Sequence, residues 1–372
     1  MNPNLIPALD PAGLPGPPWL FHVLLVFTFF LHMLFMNLTL GGTLLAVIAH
    51  FRAGGRREDP RGALAGRLMA VNSYGISLTI TTGIAPLLFI QVLYQQYFYT
   101  ATILIAGVWL AMLLLLTLGY YAAYLYKFRG APARGQGGGL WLFASAVMFL
   151  AIAMVHVAVH LLHSQPERWA DVASGAACVL GDPTYFPRLL HFVLAGIGFA
   201  ALVAAWWAVR QARAGVEVEL NTRIAGFTWK WMLWTTILQV VDGFVLLLLL
   251  PRPLLIGFMQ GGAATMIPLT LAILLGVGLL VMIARVTNPV ASSGVVSGTL
   301  GAMVLTIAVM SITRHQLRVL SLAPATKLFE PVVVPQWFNF SLWVVLLLAG
   351  LATVGYMVRR VLDAPATGAD AA

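Results

Sequence analysis

The stretch WLFHVLLVFTFFLHMLFMNLTLGGTLLAVIAH (residues 19–50) contains no aspartate, glutamate, lysine or arginine. A helix needs about 20 consecutive apolar residues to cross the hydrocarbon core of a bilayer, so this segment is long enough to span it. Similar segments recur along the chain, separated by turn signals such as Arg-Ala-Gly-Gly and Pro-Arg-Pro. The sequence therefore predicts an all-α, polytopic transmembrane helix bundle of about nine spans. The predicted spans are 19–50, 69–95, 101–126, 140–163, 188–210, 229–250, 265–285, 290–312 and 338–358.

The composition also indicates a membrane protein. Of 372 residues, 60% are apolar and only 9% are charged, against roughly 25% charged in an average soluble domain. The net charge is +9, which could indicate binding to nucleic acid. The basic residues, however, lie in short connections between apolar runs, as in membrane proteins. We therefore expect membrane lipid as a partner and do not expect nucleic acid. The predicted organisation is an exterior N-terminal segment 1–18, a transmembrane bundle 19–360 and a cytoplasmic tail 361–372.

The basic residues predict the orientation of the bundle. Fifteen lysines and arginines fall in one set of connections and six in the other. Cytoplasmic loops carry the excess of these residues, so the richer set is expected in the cytoplasm and the N-terminus outside.

Seven of the eight histidines are predicted at the outer face of the membrane, and only His50 at the cytoplasmic end. Helices rise about 1.5 Å per residue, which places His32 of the first span and His191 of the fifth roughly 30 Å from the arginines at the opposite ends of their spans. The seven outer histidines are His22, His32, His156, His160, His163, His191 and His315.

Three of these histidines belong to the fourth span. His156, His160 and His163 follow i, i+4, i+7 spacing and so share one helix face. His315 is expected just outside the eighth span, and His22 at or beyond the membrane boundary. Several histidines at one depth on different helices indicate a cofactor that they bind together. A single intramembrane histidine, by contrast, is more often hydrogen-bonded to a neighbouring helix.

The chemistry of imidazole favours haem as that cofactor. Imidazole is costly in hydrocarbon unless its nitrogens are occupied, and neutral imidazole is a common ligand of haem iron. A non-haem metal site usually recruits carboxylates as well, and the spans contain only Asp242. Cys178 is the single cysteine, so covalent attachment through C-x-x-C-H is excluded. We expect two or three non-covalent haems b, with His32, His191, His156 and His160 as the leading candidates for iron ligands.

Two runs of residues carry a family resemblance. The run HMLFMNLTLG (32–41) resembles the first helix of subunit I of the cytochrome bd quinol oxidases, which has a histidine followed by Leu-Phe and Leu-Thr-Leu-Gly. The run RLLHFVLAG (188–196), preceded by GDPTYF, is similar to that family's fifth helix, and residues 72–83 look like its second. The similarity covers roughly the first 250 residues.

The resemblance implies roles for individual residues. His32 would be the axial ligand of a haem in an outer di-haem site, and His191 one ligand of a low-spin haem near the quinol. Met266 is the best-placed candidate for the methionine that partners the latter in the family. The resemblance also implies a bacterial cytoplasmic membrane, a quinone, and a second membrane subunit or a homo-oligomer.

The chain departs from the family where oxygen is reduced. The matching stretch of the third helix, 112–117, lacks a glutamate, the quinol-binding loop shrinks to about 251–264, and the Gly-Arg-x-Pro-Trp motif is absent. Oxygen reduction needs protons delivered along a carboxylate path. We therefore expect bis-His haems that pass electrons between quinol and an exterior cytochrome c. A true bd-type quinol oxidase subunit, or a cofactor-free transporter or structural subunit, is the alternative.

The remaining polar residues extend this hypothesis. Asp242, near mid-membrane beside Gln239, is expected either to accept a proton from quinol or to partner a buried base. Arg188 precedes His191 by one turn and Arg314 is next to His315, so these arginines could bind haem propionates or anchor the chain at the interface. The predicted exterior loop 313–339 is a candidate docking segment for cytochrome c.

Overall fold

The computed structural model describes residues 6–56, 58–128, 138–174, 176–326 and 332–363. Within these ranges, nine helical segments are long and apolar enough to cross a membrane. The predicted all-α bundle of about nine spans is therefore confirmed. Residues 1–5 and 364–372, which belong to the predicted terminal segments, lie outside the described residues.

Twelve α-helices form the described part of the chain, and the first span joins two of them through a π-helical turn at Asn37–Gly41. The helices are α1 (Pro18–Met36), α2 (Gly42–Arg52), α3 (Pro60–Leu93), α4 (Gln95–Leu104), α5 (Ala106–Phe128), α6 (Gly138–Ser164), α7 (Tyr185–Arg213), α8 (Val218–Leu248), α9 (Arg252–Gln260), α10 (Ala263–Ala284), α11 (Ser293–Thr326) and α12 (Trp337–Asp363). Two short 3₁₀ segments, Pro166–Ser174 and Ala176–Gly181, connect α6 to α7.

The π-helical turn presses the first span against α7. A Cβ added to Gly41 would overlap the backbone carbonyl of Gly196, so the two backbones meet without side chains between them. Small residues permit such close approach between membrane helices. On the other side of the turn, Asn72 of α3 donates from Nδ2 to the Thr39 carbonyl (3.1 Å) and to Thr43 Oγ1 (2.6 Å). These contacts fix α1 beside both α3 and α7.

Two apolar clusters fill the bundle. The larger one is built mainly from α2, α3, α7, α8 and α11, and the smaller one packs the first part of α1 against α4 and the last part of α6. The last helix, α12, has no buried residue and lies at the periphery. Every helix that carries a predicted outer histidine therefore belongs to the packed part of the bundle.

The predicted end of the eighth span is wrong. The sequence placed it near residue 312 and His315 just outside, but α11 continues to Thr326 and His315 is buried within it. The difference arises because the charged residues Arg314 and Arg318 interrupt the apolar run after residue 312. Arg318 is only 3% exposed, so it points into the protein and does not mark a helix end. The predicted exterior loop 313–339 is likewise helical over 313–326.

Candidate functional site

Six of the seven predicted outer histidines come from α1, α6 and α11, and the seventh from α7. They lie where α1 begins, α6 ends and α7 begins, and we call this the histidine end of the bundle. His50 lies at the opposite end, where its Nδ1 is 3.3 Å from the hydroxyl of Tyr126. The structure therefore groups the same seven histidines that the sequence grouped by depth.

A network of direct contacts links three helices at the histidine end. His22 Nδ1 lies 3.0 Å from His315 Nε2. Arg318 approaches His315 Nδ1 at 3.4 Å and donates from Nε to His163 Nε2 at 3.1 Å. The rings of His163 and His160 have centroids 5.2 Å apart. We call these five residues the histidine–arginine cluster.

The hydrogen bonds of the cluster show which imidazole nitrogens are available to a ligand. His163 donates from Nδ1 to the Val159 carbonyl (3.0 Å) and accepts from Arg318, so both its nitrogens are engaged. His315 likewise contacts Arg318 and His22. By contrast, Nδ1 of His160 is buried without a hydrogen-bond partner. His160 is therefore more available to bind iron than His163 or His315.

His32 is oriented by α3. Its Nδ1 lies 3.1 Å from the Thr79 carbonyl, which can only accept, so Nδ1 carries the proton and Nε2 keeps its lone pair. Gly83 makes room for the ring, because a Cβ there would be 2.9 Å from His32 Cε1. His156 lies within electrostatic range of His32 and packs edge-on against Trp109, at 5.9 Å between ring centroids. Unlike His160 and His163, His156 is exposed.

His191 is oriented by a carboxylate. Its Nδ1 is 3.2 Å from Asp242 Oδ2, and its Nε2 is 3.5 Å from the amide of Gln239. A carboxylate that accepts from Nδ1 fixes the tautomer in which Nε2 can bind a metal. Of the two roles expected for Asp242, the geometry supports the partner of a buried base. Asp242 lies six residues before the end of α8, nearer the histidine end than the predicted mid-membrane position.

A cavity extends from His191 into the bundle. Counted with the open space at its mouth, it encloses about 1640 Å³ not filled by atoms. Most of its lining is apolar, and Arg188 and Arg314 line it close to His191. Met266, the predicted methionine partner of His191, is not among the lining residues and is 47% exposed. Met303 and Met310 of α11 do line the cavity.

Three arginines, Arg188, Arg314 and Arg318, lie at the histidine end of the bundle. Arg188 and Arg318 are buried, and the Arg314 guanidinium lies 4.4 Å from the centroid of the Phe29 ring. Among the described residues, none of the three forms an ion pair with a carboxylate. Arginine is rarely buried unless it is paired. The site therefore has the charge to bind an anionic group.

Several contacts were not predicted from the sequence. Thr79, Gly83 and the link from Arg318 to His163 join different helices, and single-chain spacing carries no signal for such pairs. In the described part of the chain, no group of three or more His, Cys, Asp or Glu side chains could hold a metal ion. A porphyrin supplies four iron ligands itself, so one or two histidines suffice for each haem.

No protein-family model matches the sequence, and no curated protein does. Among solved structures, the chain is similar to the bd oxidase from Geobacillus thermodenitrificans, with a TM-score of 0.72 and 14% sequence identity. The similarity covers 92% of this chain and 98% of the oxidase chain. The resemblance stated from the sequence is thus confirmed at the level of the fold. This membrane-spanning chain has the fold of a bd oxidase chain.

Proposed function

We propose that this chain is a haem b electron-transfer subunit of the bacterial cytoplasmic membrane, with its histidine end at the exterior face. The observation that carries the proposal is a set of three inward-facing arginines beside histidines of four helices, Arg188, Arg314 and Arg318, which form no ion pair with any carboxylate of the described residues. Haem b combines an iron that imidazole binds with propionates that arginine binds. The bd oxidase fold supports the same assignment.

The cavity beside α7 fits one haem. His191, held by Asp242, would bind the iron through Nε2 once the Gln239 amide, now 3.5 Å from that nitrogen, turns away. Arg188 and Arg314 would pair with the propionates. Met310 is a better candidate than Met266 for a thioether ligand, because it lines the same cavity one helical turn from Arg314. The apolar lining would keep water from the iron.

The histidine–arginine cluster and His32 would hold the remaining one or two haems. His32 and His160 each have a nitrogen not engaged by protein, so we assign them as iron ligands, with His156 and His22 as candidates for their partners. His163 and His315 would position Arg318, which is a candidate for pairing with propionates. When bound, haem supplies a centre that gains and loses one electron at a time.

The proposed path runs between membrane quinol and an exterior cytochrome c. Haems near the exterior face would exchange electrons with a soluble partner there, and a second membrane subunit or a second copy of the chain completes the proposed assembly. The orientation follows from the excess of basic residues in the predicted cytoplasmic loops.

Optical spectroscopy of the purified chain tests the proposal. We expect reduced-minus-oxidised α-bands of low-spin haem b, two or three haems per chain by pyridine haemochrome, and no spectral change on adding carbon monoxide. Six-coordinate iron has no open position for carbon monoxide, which is the reason for the last result. A folded chain purified without haem would contradict the proposal.

A quinol oxidase subunit is the second candidate, favoured by the similarity that covers 98% of the bd oxidase chain. Oxygen reduction requires an iron with an open position. A carbon monoxide difference spectrum together with quinol-dependent oxygen uptake by the purified protein would decide for this candidate and against the first.

The bond between Asp242 and His191 should govern haem affinity. Asp242→Asn removes the charge that orients the imidazole, and changes of such supporting residues typically cost about 10–100-fold in metal affinity. We expect this variant to release haem at a concentration of competing apomyoglobin that leaves the wild type loaded. Asp171→Asn, an exposed carboxylate at the same end, is the control and should behave as wild type. Equal haem retention in all three proteins would show that Asp242 does not act on a haem ligand.

A further inference from the structure

Asn37, at the start of the π-helical turn, carries an amide that the protein does not use. The side chain is 1% exposed, its Oδ1 has no hydrogen-bond partner, and the residue lines the cavity that contains His191. Buried polar atoms almost always have a partner, so each exception calls for an explanation.

Four hydroxyl side chains that line the cavity already have hydrogen-bond partners. Each donates its hydroxyl to a carbonyl of its own helix, at 2.8 Å for Thr236, Thr306 and Ser311 and at 3.0 Å for Thr313. Such bonds within a helix leave no free donor facing the cavity. Asn37 is therefore distinguished from these four lining residues by an amide that can still bind a ligand.

The cavity is long enough to present two different polar ends. Along α11, its lining runs from Leu317 to Met303, which corresponds to about 21 Å of helix. The arginines lie at the histidine end, whereas Asn37 is five residues deeper along the first span than His32. A group bound at Asn37 is thus well removed from the arginines that we assign to propionates. The edge of haem b opposite its propionates carries only methyl and vinyl groups, which do not hydrogen-bond an amide.

The cavity is also open to the lipid. Phe244 of α8 and Val277 of α10 line it and are nevertheless 46% and 41% exposed. Both residues lie within predicted spans, so the opening between these helices faces the hydrocarbon. A ligand that enters there is lipid-soluble and has a neutral head group, since no acid or base lines the cavity beside Asn37.

We propose that the inner half of this cavity binds the head group of a quinone or quinol, with the Asn37 amide as its hydrogen-bond partner. An amide can donate to a quinone carbonyl and accept from a quinol hydroxyl, so one side chain serves both forms. This inference rests on the proposed function in one respect, the transfer of electrons between the bound quinol and the neighbouring haem. Binding of the head group does not depend on it. The apolar tail lies in the opening between α8 and α10.

Photolabelling with a short-tailed azidoquinone tests the site without relying on haem. We expect adducts on peptides of α1, α8 and α11 around the cavity, and competition by the unlabelled short-tailed quinone. Asn37→Leu should raise the quinone concentration for half-maximal labelling about tenfold, the effect of losing one buried hydrogen bond. Asn37→Asp, which keeps the size of the side chain, should also weaken labelling and covers the case in which the leucine variant does not fold.

The matched control is Thr28→Val. Thr28 is buried on the same helix but donates only to its own backbone, at 2.7 Å to Leu24 O, so labelling should not change. Unchanged half-saturation in folded Asn37→Leu, or adducts elsewhere in the bundle, would mean that the amide binds only a structural water and would overturn the inference. A haem-free chain that still shows Asn37-dependent labelling would support the site while rejecting the proposed function.

Discussion

Replacing His191 by leucine is expected to remove one haem b from the purified chain and leave the others bound. His191 is the histidine whose orientation is fixed most directly, by Asp242 at 3.2 Å, and it lies in an apolar cavity where no other histidine is among the lining residues. Leucine is a good helix former of similar size, so α7 should persist. The measurement is the haem-to-protein ratio by pyridine haemochrome, together with the loss of one α-band component.

His50→Leu is the matched control for this experiment. His50 is also a buried histidine of a spanning segment, but it lies at the opposite end of the bundle, in contact with Tyr126. It should keep the full haem complement. A His191→Leu protein with undiminished haem would contradict the assignment of His191, and equal losses in both variants would point to a general effect on folding.

The number and positions of the spans could be predicted because the thickness of the bilayer sets the length of a spanning helix. A span needs about 20 apolar residues, whatever it packs against, and all nine predicted segments overlap helices of the structure. The depth of each histidine then followed from helical rise alone. Helical rise alone thus places His32 and His191 at the same end of the bundle as the other predicted outer histidines, where the structure also has them; that this end is the exterior one stays a prediction.

The contacts between helices could not be predicted in this way. Nothing in the spacing of α6 shows that His163 is engaged by Arg318 while His160 is not. Hydropathy also treats an arginine as a helix end, which misplaced the end of α11. Its inward arginines are tolerated because they contact protein instead of lipid: Arg318 contacts His163 and His315, and Arg314 lies over the ring of Phe29.

The inward arginines bear on the predicted orientation as well. The six basic residues assigned to exterior connections included Arg188, Arg314 and Arg318. These three lie within α7 and α11 and not in loops. The rule for topology counts charges in short loops and near the ends of spans. Residues of the predicted cytoplasmic set, such as Arg67, Arg210 and Lys230, also lie within helices, so the predicted orientation stays a prediction.

Gly41→Ala is expected to unfold the histidine end. An added Cβ would overlap the carbonyl of Gly196 and lie 2.6 Å from the backbone nitrogen of Ile197. Backbone atoms cannot rotate away as side chains do, so the first span and α7 would have to separate. Overpacking typically costs about 1–3 kcal/mol, and more where the neighbouring atoms cannot move. The expected result is a large fall in the midpoint of thermal unfolding in detergent, with loss of haem binding at His191.

Two neighbouring substitutions turn this expectation into a graded test. A Cβ at Gly196 would lie 3.3 Å from the Gly41 nitrogen, so Gly196→Ala should cause a smaller fall. A Cβ at Gly42 would have no heavy atom within 4 Å, and alanine is the better helix former by about 1 kcal/mol, so Gly42→Ala should match or exceed the wild type. Because Gly41 and Gly42 are adjacent in one helical segment, a general intolerance of alanine would lower both midpoints equally. Only a direct contact between the two backbones predicts the order Gly41→Ala, then Gly196→Ala, then Gly42→Ala, from the least to the most stable protein.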